Sequence, residues 1–233
     1  VYTEVSDEEL QIFASEYDIG EVLSCKGIAE GVENTNYLLH TDAGYFVLTL
    51  YEKRVAPDAL PFYLGLMAFL ADNSIPCPTP VSGRDGLALR TLCGRPAAIV
   101  TFLEGMWPRR IQVAHCVAVG KAIARMHLAG ASFSIKNENT LSIKHWRPLF
   151  ALCHARAHEV NEQLVHIIEA ELDYLEPNWP TNLPTGICHA DLFPDNVFFI
   201  GEQLSGIIDF YFACNDQLAY DVATCLNAWC FER

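Results

Sequence analysis

The sequence is poor in basic residues and contains no extended cluster of them. It holds 15 Lys and Arg against 29 Asp and Glu, which gives a formal net charge of −14. No basic cluster exceeds a pair such as Arg109-Arg110. Because nucleic-acid binding requires a basic face, this composition excludes a nucleic-acid partner. An acidic chain that binds a polyanion needs local cations or a metal ion to offset its overall field.

Long apolar runs and paired cysteine motifs are also lacking. No run reaches the roughly 20 residues that a membrane helix requires, and residues 1–10 are polar and acidic, unlike a signal peptide. The nine cysteines are scattered, odd in number and without a C-x-x-C pair. We therefore expect buried free thiols in a reducing cytoplasm and no membrane association. A zinc site is the less favoured alternative.

Hydrophobic residues are abundant, at 51% of the 233 residues, while charged residues form 19%. This composition predicts an ordered protein of one large domain or two small lobes. Ser6 and Glu9 have the spacing of a capping box and predict a first helix. Period-two patterns predict strands at 22–25, 36–40, 45–51, 87–90 and 97–102. Helical patterns follow at 60–70, 113–128, 153–175 and 220–231. Strands first and helices second favour an α+β protein with an N-terminal lobe at 1–103 and a C-terminal lobe at 104–233.

Two short apolar runs near the C-terminus predict an antiparallel hairpin. They occupy 197–200 and 205–208, with a four-residue loop between them. Pairing 200 with 205 and 197 with 208 places Asn196 opposite Asp209, about 5 Å apart at Cα. Oxygen ligands at this spacing suit Mg²⁺. Asp191 lies on the loop that enters the hairpin, so a third polar group is directed at a metal-bound phosphate.

The spacing H-x-D-x-x-x-x-N from His189 to Asn196, followed by Asp209, resembles the aminoglycoside phosphotransferase and choline kinase superfamily. The resemblance implies a protein-kinase-like fold and ATP-dependent transfer to a hydroxyl group. Asp191 would act as the base, and Asn196 and Asp209 would bind Mg²⁺. His189 is expected to orient the loop rather than to transfer a proton. The role of Asp195 is left open between capping of the loop and contact with the substrate.

The same resemblance implies that the N-terminal lobe binds the nucleotide. Residues 27–31 are predicted to form a glycine-flanked turn whose backbone amides approach phosphates. Thr49 stands where a kinase places its phosphate-pairing lysine, and Lys53 is either a substitute cation or a solvated charge. Residues 99–105 resemble the hinge between lobes, and His127 is expected to pack or cap rather than to catalyse. The candidate nucleotide-binding residues are Gly27, Gly31, Asn34, Thr49, Lys53, Thr101 and Leu103.

Within this superfamily, the chain resembles the kinase-fold homoserine kinases of proteobacteria. The matching stretches are 27–34, 48–54, 102–108, 189–196 and 208–214. The resemblance implies phosphorylation of L-homoserine to O-phospho-L-homoserine in threonine biosynthesis, and Thr49 belongs to the family pattern. That family continues for a further helical subdomain, so we expect the chain to be truncated at its C-terminus.

Homoserine is a small zwitterion, so its pocket needs an anion for the ammonium group and a cation for the carboxylate. The candidate substrate contacts are Asp195, Tyr211, Asp216 and Asp221. Stabilisation of a helix N-terminus is an equal alternative for Asp221. No basic residue lies between His189 and Arg233, so the carboxylate partner must come from elsewhere. Kinases for choline, methylthioribose or aminoglycosides and a nucleotide-binding pseudokinase remain alternatives, and the oligomeric state stays open.

Overall fold

The computed structural model describes residues 3–29, 34–52 and 56–231. The first hundred residues contribute a five-stranded antiparallel sheet, and the later residues are mainly helical. The sheet has the strand order β1-β2-β3-β5-β4, and its strands are β1 Val22–Ile28, β2 Thr35–Thr41, β3 Gly44–Leu50, β4 Arg90–Leu92 and β5 Arg95–Thr101. The helices are α1 Asp7–Ala14, α2 Leu60–Asp72, α3 Val113–Gly130, α4 Ile143–Cys153, α5 Leu164–Asn178 and α6 Leu218–Trp229. The predicted α+β class is confirmed.

Alternation along the strands gives the sheet two different faces. One face carries Leu39 and Leu48, which are fully buried against the α1 side chains. Helix α1 begins at the predicted cap, since Glu9 N–H donates to Ser6 Oγ and the Glu9 carboxylate accepts from Ser6 N–H. The opposite face carries Asn36 and Thr49, which pair directly across β2 and β3. This second face looks toward the C-terminal part of the chain.

One hydrophobic core joins the sheet to the helical part. Its members include Leu66 and Leu70 of α2, Met126 of α3, and Val197 and Phe210 near the C-terminus, each nearly inaccessible to solvent. Helix α2 is apolar on almost every side because it is packed between the two parts. The two parts therefore share buried side chains and hold a fixed cleft between them.

Two two-stranded sheets carry the C-terminal loops. Strand β6 Thr185–Cys188 pairs with β9 Cys214–Gln217, and β7 Val197–Ile200 pairs with β8 Gln203–Ile207. The predicted hairpin is thus present, but its predicted register is wrong. The turn contains only Gly201 and Glu202, and a bulge between Phe198 and Phe199 makes Val197 pair with Ile207. Asn196 consequently faces Ile208, whose N–H donates to the Asn196 carbonyl at 3.0 Å, and Asp209 follows one residue later.

Other differences from the sequence predictions concern local boundaries. The strand predicted at 87–90 begins at Arg90, and the helix predicted at 153–175 divides into α4, the 3₁₀ turn His154–Glu159 and α5. Gly27 is not in a turn but inside β1, where it pairs with Tyr37. Gly31 lies outside the described residues. Pro177 falls in the last turn of α5 and so does not end the helix where expected.

All nine cysteines are free thiols, but the prediction that they are buried holds for only part of them. Four of them are buried, and burial raises the pKa of Cys77 and Cys214 to about 12. Within the ranges that the structure describes, no helix has the length and apolar character needed to cross a bilayer.

Gly105 lies where the chain passes from the sheet into the helical part. Its φ is +128°, a region that L-residues rarely adopt. The next residue, Met106, forms a β-bridge with Phe199, with N–H···O distances of 2.9 and 3.1 Å. A side chain at 105 would collide with the Ser205 hydroxyl and come within 3.0 Å of the Phe199 carbonyl oxygen. The linker can therefore dock on the hairpin only with glycine at this position.

We expect Gly105→Ala to lower the free energy of unfolding by about 1–3 kcal/mol through backbone strain alone, and by more through the collision. The matched control is Gly201→Ala, because Gly201 also has a positive φ, of 61°, but a Cβ there meets nothing within 4 Å. A comparison of urea unfolding for the two variants separates the cost of backbone strain from the cost of the steric collision. Equal losses in the two variants would contradict the packing explanation.

Candidate active site

A cleft of about 770 Å³ lies between the five-stranded sheet and the β7–β8 hairpin. The sheet contributes Asn36, Thr49 and Val47, and the linker contributes Phe102 and Leu103. The opposite wall contains the polar residues Asp191, Asp195, Asn196, Asp209 and Tyr211. The cleft therefore has an apolar end beside the linker and a polar end beside the catalytic segment.

Most of the predicted site residues line this cleft. The structure brings together Asn34, Thr49, Thr101, Leu103, Asp191, Asp195, Asn196, Asp209 and Tyr211. Gly27 does not line the cleft, although its neighbour Ile28 does. Gly31 and Lys53 lie outside the described residues. His189, Asp216 and Asp221 lie elsewhere, and their surroundings differ from the predictions in ways described below.

The amide of Asn196 has a defined orientation. Its Nδ2 donates to the Asp191 carbonyl oxygen at 2.8 Å and to Asp191 Oδ2 at 3.0 Å. The Nδ2 atom is therefore committed to the catalytic loop, and Oδ1 is the atom available to a cation. Asp209 has φ 63° and ψ 64°, a left-handed conformation that Asp tolerates better than most residues. Although the register predicted for the hairpin is wrong, Asn196 and Asp209 still lie on the same cleft.

The chemistry of these oxygens suits magnesium better than zinc. Magnesium commonly binds through one or two protein oxygens and completes its shell with phosphate oxygens and water. Among the described residues, no group of three His, Cys, Asp or Glu side chains is arranged to hold a metal on its own. Asn196 and Asp209 fit a metal that arrives with a phosphorylated ligand, and they do not fit a closed structural zinc site.

His189 is completely buried behind the cleft. The Asp191 N–H donates to Nδ1 at 3.3 Å, so Nε2 carries the proton and donates to the Ile208 carbonyl oxygen at 3.0 Å. Burial lowers the pKa of His189 below its ordinary value, which keeps the imidazole neutral. These two hydrogen bonds connect the loop that carries Asp191 to Ile208 at the end of the hairpin. The orienting role of His189 stays a prediction.

Asp221 corrects one of its two predicted roles, the substrate contact, because it does not line the cleft. Its side chain is fully buried in the first turn of α6. It accepts from the backbone N–H groups of His189 and Ala190 at 3.1 and 2.8 Å. His127 Nε2 lies 2.7 Å from the same carboxylate. The carboxylate thus stabilises the catalytic loop, including Ala190, which has a positive φ of 64°.

Asp216 corrects a second prediction, because it lies in a different cavity. That cavity has a volume of about 440 Å³ and is bordered by Lys136, Thr185 and Gln217. Asp216 accepts from Asn139 Nδ2 at 2.6 Å and from the Gln217 N–H at 2.7 Å. The two cavities share no lining residue, so Asp216 does not line the cleft that contains Asp191.

Comparison with known proteins decides the family. The sequence model of the phosphotransferase enzyme family matches residues 24–233. The chain belongs to the phosphotransferase enzyme family. The homoserine kinase of Paramagnetospirillum magneticum is 65% identical over 239 residues, and the match covers 100% of this chain and 73% of that protein. The homoserine kinase of Bradyrhizobium diazoefficiens is 65% identical over 233 residues, covering 100% and 71%.

Solved structures of phosphotransferases share the fold at low sequence identity. An amicoumacin kinase in complex with AMP-PNP and Ca²⁺ has a TM-score of 0.74 at 14% identity, covering 96% of this chain and 69% of the other. The GDP and kanamycin complex of APH(2″)-IIia has a TM-score of 0.74 at 17% identity, covering 97% and 80%. The predicted kinase-like, two-lobed fold is thereby confirmed.

One polar residue of this phosphotransferase cleft was not among the candidate site residues predicted from the sequence. Asn36 lines the cleft beside Thr49. Strand alternation contained the signal for it, since 36 pairs with 49. The residue that pairs with Asn36 can be assigned only when the register of the β2–β3 hairpin is known.

Proposed function

We propose that this phosphotransferase is a homoserine kinase, which transfers the γ-phosphoryl group of ATP to the side-chain hydroxyl of L-homoserine. The product is O-phospho-L-homoserine, an intermediate of threonine biosynthesis. The observation that carries this proposal is the identity of 61–65% with curated homoserine kinases over the whole chain. The cleft supports it, because its size suits a nucleotide and a small acceptor together.

In this proposal Asp191 is the base. It would accept the proton of the homoserine hydroxyl as the oxygen attacks the γ-phosphorus in line with the leaving group. The loop that carries Asp191 is stabilised by Asn196, which donates to both its carbonyl and its carboxylate. Such support favours a single orientation of the carboxylate, and a base must be held within hydrogen-bond distance of its proton to be effective.

Mg²⁺ is the proposed metal, with Asn196 Oδ1 and the Asp209 carboxylate as its protein ligands. When bound, it would neutralise the charge that develops on the transferring phosphoryl group. The amicoumacin kinase, which binds AMP-PNP and Ca²⁺, supports a nucleotide together with a divalent metal in this fold. Asn34 would face the phosphates, Thr49 would support the sheet side of the phosphate site, and Thr101 and Leu103 would face the adenine. Gly27, next to the cleft-lining Ile28, and Gly31 and Lys53 are further candidate contacts of the phosphates.

We further propose that residues 1–103 bind the nucleotide and that residues 104–233 carry the catalytic groups. Asp195 lines the cleft beside Asp191 and is the proposed partner of the homoserine ammonium group. Tyr211 also lines the cleft and is proposed as a second contact of the acceptor. A cytoplasmic location would agree with nine free thiols and with the need for ATP.

The acceptor is tested by a substrate panel in a coupled assay for ADP release. We expect homoserine to be phosphorylated with a kcat/KM at least about 100-fold above choline, methylthioribose and an aminoglycoside, because a buried site rejects acceptors that leave its polar groups unpaired. A higher kcat/KM with one of the others would replace the proposed acceptor. ATP binding without transfer to any acceptor would instead favour a nucleotide-binding pseudokinase.

A further inference from the structure

The described residues that line the main cleft include three carboxylates but no Lys, Arg or His. The carboxylates are Asp191, Asp195 and Asp209. Protein kinases place a lysine on the third strand, where it contacts the ATP phosphates. Thr49 occupies that position in β3 and is only 3% exposed. Among these residues, the sheet side of the cleft therefore offers only uncharged donors to the phosphates of a bound nucleotide.

Asn34 is oriented so that its amino group is available to the cleft. The Glu52 N–H donates to Asn34 Oδ1 at 3.2 Å. A backbone N–H can only donate, so this bond fixes which end of the amide is oxygen. Asn34 is 7% exposed and lines the cleft. Its Nδ2 is the atom left to donate to a ligand.

Asn36 is oriented in the same sense by a different partner. It pairs directly with Thr49 across β2 and β3, and both side chains are on the cleft face. The Thr49 hydroxyl donates to Asn36 Oδ1 at 2.8 Å. The amide oxygen is again occupied by the protein, and Nδ2 again remains for a ligand in the cleft.

A pair of tyrosine hydroxyl groups adjoins the cleft. The hydroxyl oxygens of Tyr211 and Tyr51 are 3.2 Å apart, and Tyr211 lines the cleft together with Thr49. Tyr51 is almost fully buried, and its ring packs edge-on against that of Tyr211. The Thr49 hydroxyl has one proton and donates it to Asn36, so this bond is the contact that fixes the orientation of Asn36.

We infer that Asn34 and Asn36 present uncharged amino groups to the nucleotide phosphates, and that Thr49 is the positioning residue that holds Asn36 in this orientation. The inference rests on the proposed nucleotide site and deepens it. A lysine at 49 would lack the hydroxyl that holds Asn36 and would have to be buried, at a large desolvation cost. Neutral donors avoid that cost, and the bound metal ion would then neutralise the phosphate charge.

The donors are tested by calorimetric binding of ADP and of adenosine in the presence of Mg²⁺. Asn36→Asp replaces a donor with an anion at nearly constant shape, and we expect ADP to bind at least about tenfold more weakly. Adenosine, which lacks phosphates, should bind as it does to the unmodified protein. Thr91→Asp is the matched control, because it adds the same charge to the exposed edge strand β4. Unchanged ADP affinity in Asn36→Asp, or an equal loss for adenosine, would overturn the assignment.

The positioning residue is tested by a pair of changes at 49. Thr49→Ser keeps the hydroxyl and Thr49→Val keeps the shape, so we expect ADP affinity to be retained in the first and to fall about fivefold in the second. Binding by the valine variant that equals or exceeds that of the serine variant would mean that Thr49 acts only by packing, and would refute its positioning role.

These measurements remain interpretable if the acceptor proposal fails. ADP and adenosine binding are measured without homoserine, so absence of homoserine phosphorylation would not alter the comparison among the variants. Conversely, normal ADP binding by Asn36→Asp in an active homoserine kinase would remove the inference and leave the proposed function intact.

Discussion

Asp209→Asn is expected to lower kcat by about 10³-fold or more, since it removes the carboxylate proposed to hold the metal against the transferring phosphoryl group. The side chain keeps its size, and the residue tolerates the left-handed conformation with φ 63° because Asn adopts it as readily as Asp. The fold should therefore persist. Steady-state kinetics with homoserine as acceptor, together with circular dichroism, would measure both effects.

The control for this variant is Asp72→Asn, which removes a charge at the exposed end of α2. It should retain the activity of the unmodified protein. Raising the Mg²⁺ concentration should partly restore Asp209→Asn if the loss is one of metal affinity. Wild-type turnover in Asp209→Asn would remove the metal assignment and, with it, the proposed mechanism.

Asp221→Ala is expected to cause the largest loss of stability, about 3–5 kcal/mol in the free energy of unfolding. The change leaves two buried backbone N–H groups, those of His189 and Ala190, without an acceptor. It also removes the partner of His127. Because Ala190 has a positive φ of 64° and precedes Asp191, release of this strain should also displace the proposed base and lower kcat.

Urea unfolding and kinetics would test Asp221→Ala, with His127→Gln as a milder companion. Gln retains a donor for the carboxylate and leaves the two backbone bonds intact, so we expect a loss of only about 1 kcal/mol. If Asp221→Ala does not fold, two milder variants still test the idea. We expect His127→Gln to lose less free energy of unfolding than Asp221→Asn. Equal stability of Asp221→Asn and the unmodified protein would show that the carboxylate is not needed to hold the loop.

The order of strands and helices could be predicted because it depends on local patterns. The capping box at Ser6, the hairpin turn at 41–44 and the apolar helix α2 all follow from residues close together in the chain. The catalytic segment was equally accessible, since Asp191, Asn196 and Asp209 lie within one short stretch and converge on one cleft.

The features that the sequence did not reveal depend on contacts between distant residues. His127 and Asp221 are 94 positions apart, and nothing in either local pattern indicates that they meet. Asp216 was assigned to the cleft by proximity in sequence, but β9 turns it toward Asn139 and the second cavity. A polar residue near a catalytic motif can therefore serve the scaffold, and only its partners distinguish the two roles.

The hairpin register was mispredicted for a similar reason. Ser205 is left out of the pairing by the bulge, and its hydroxyl donates to the Glu104 carbonyl oxygen, 101 positions earlier. The sequence permits either a four-residue turn or a two-residue turn with a bulge. The docking of the linker selects the second, because the bulge bends the strand toward Gly105.

That bulge also determines where this segment tolerates changes in chain length. A residue inserted at the Gly201-Glu202 turn lengthens an exposed loop and leaves the pairs beyond it unchanged. A residue removed at Ser205 would close the bulge and leave Val197 paired with Ile207, but the strand would straighten and the hydroxyl that donates to the Glu104 carbonyl oxygen would be lost. Relatives of different length should therefore vary at the turn and keep the residue count between Leu204 and Asp209.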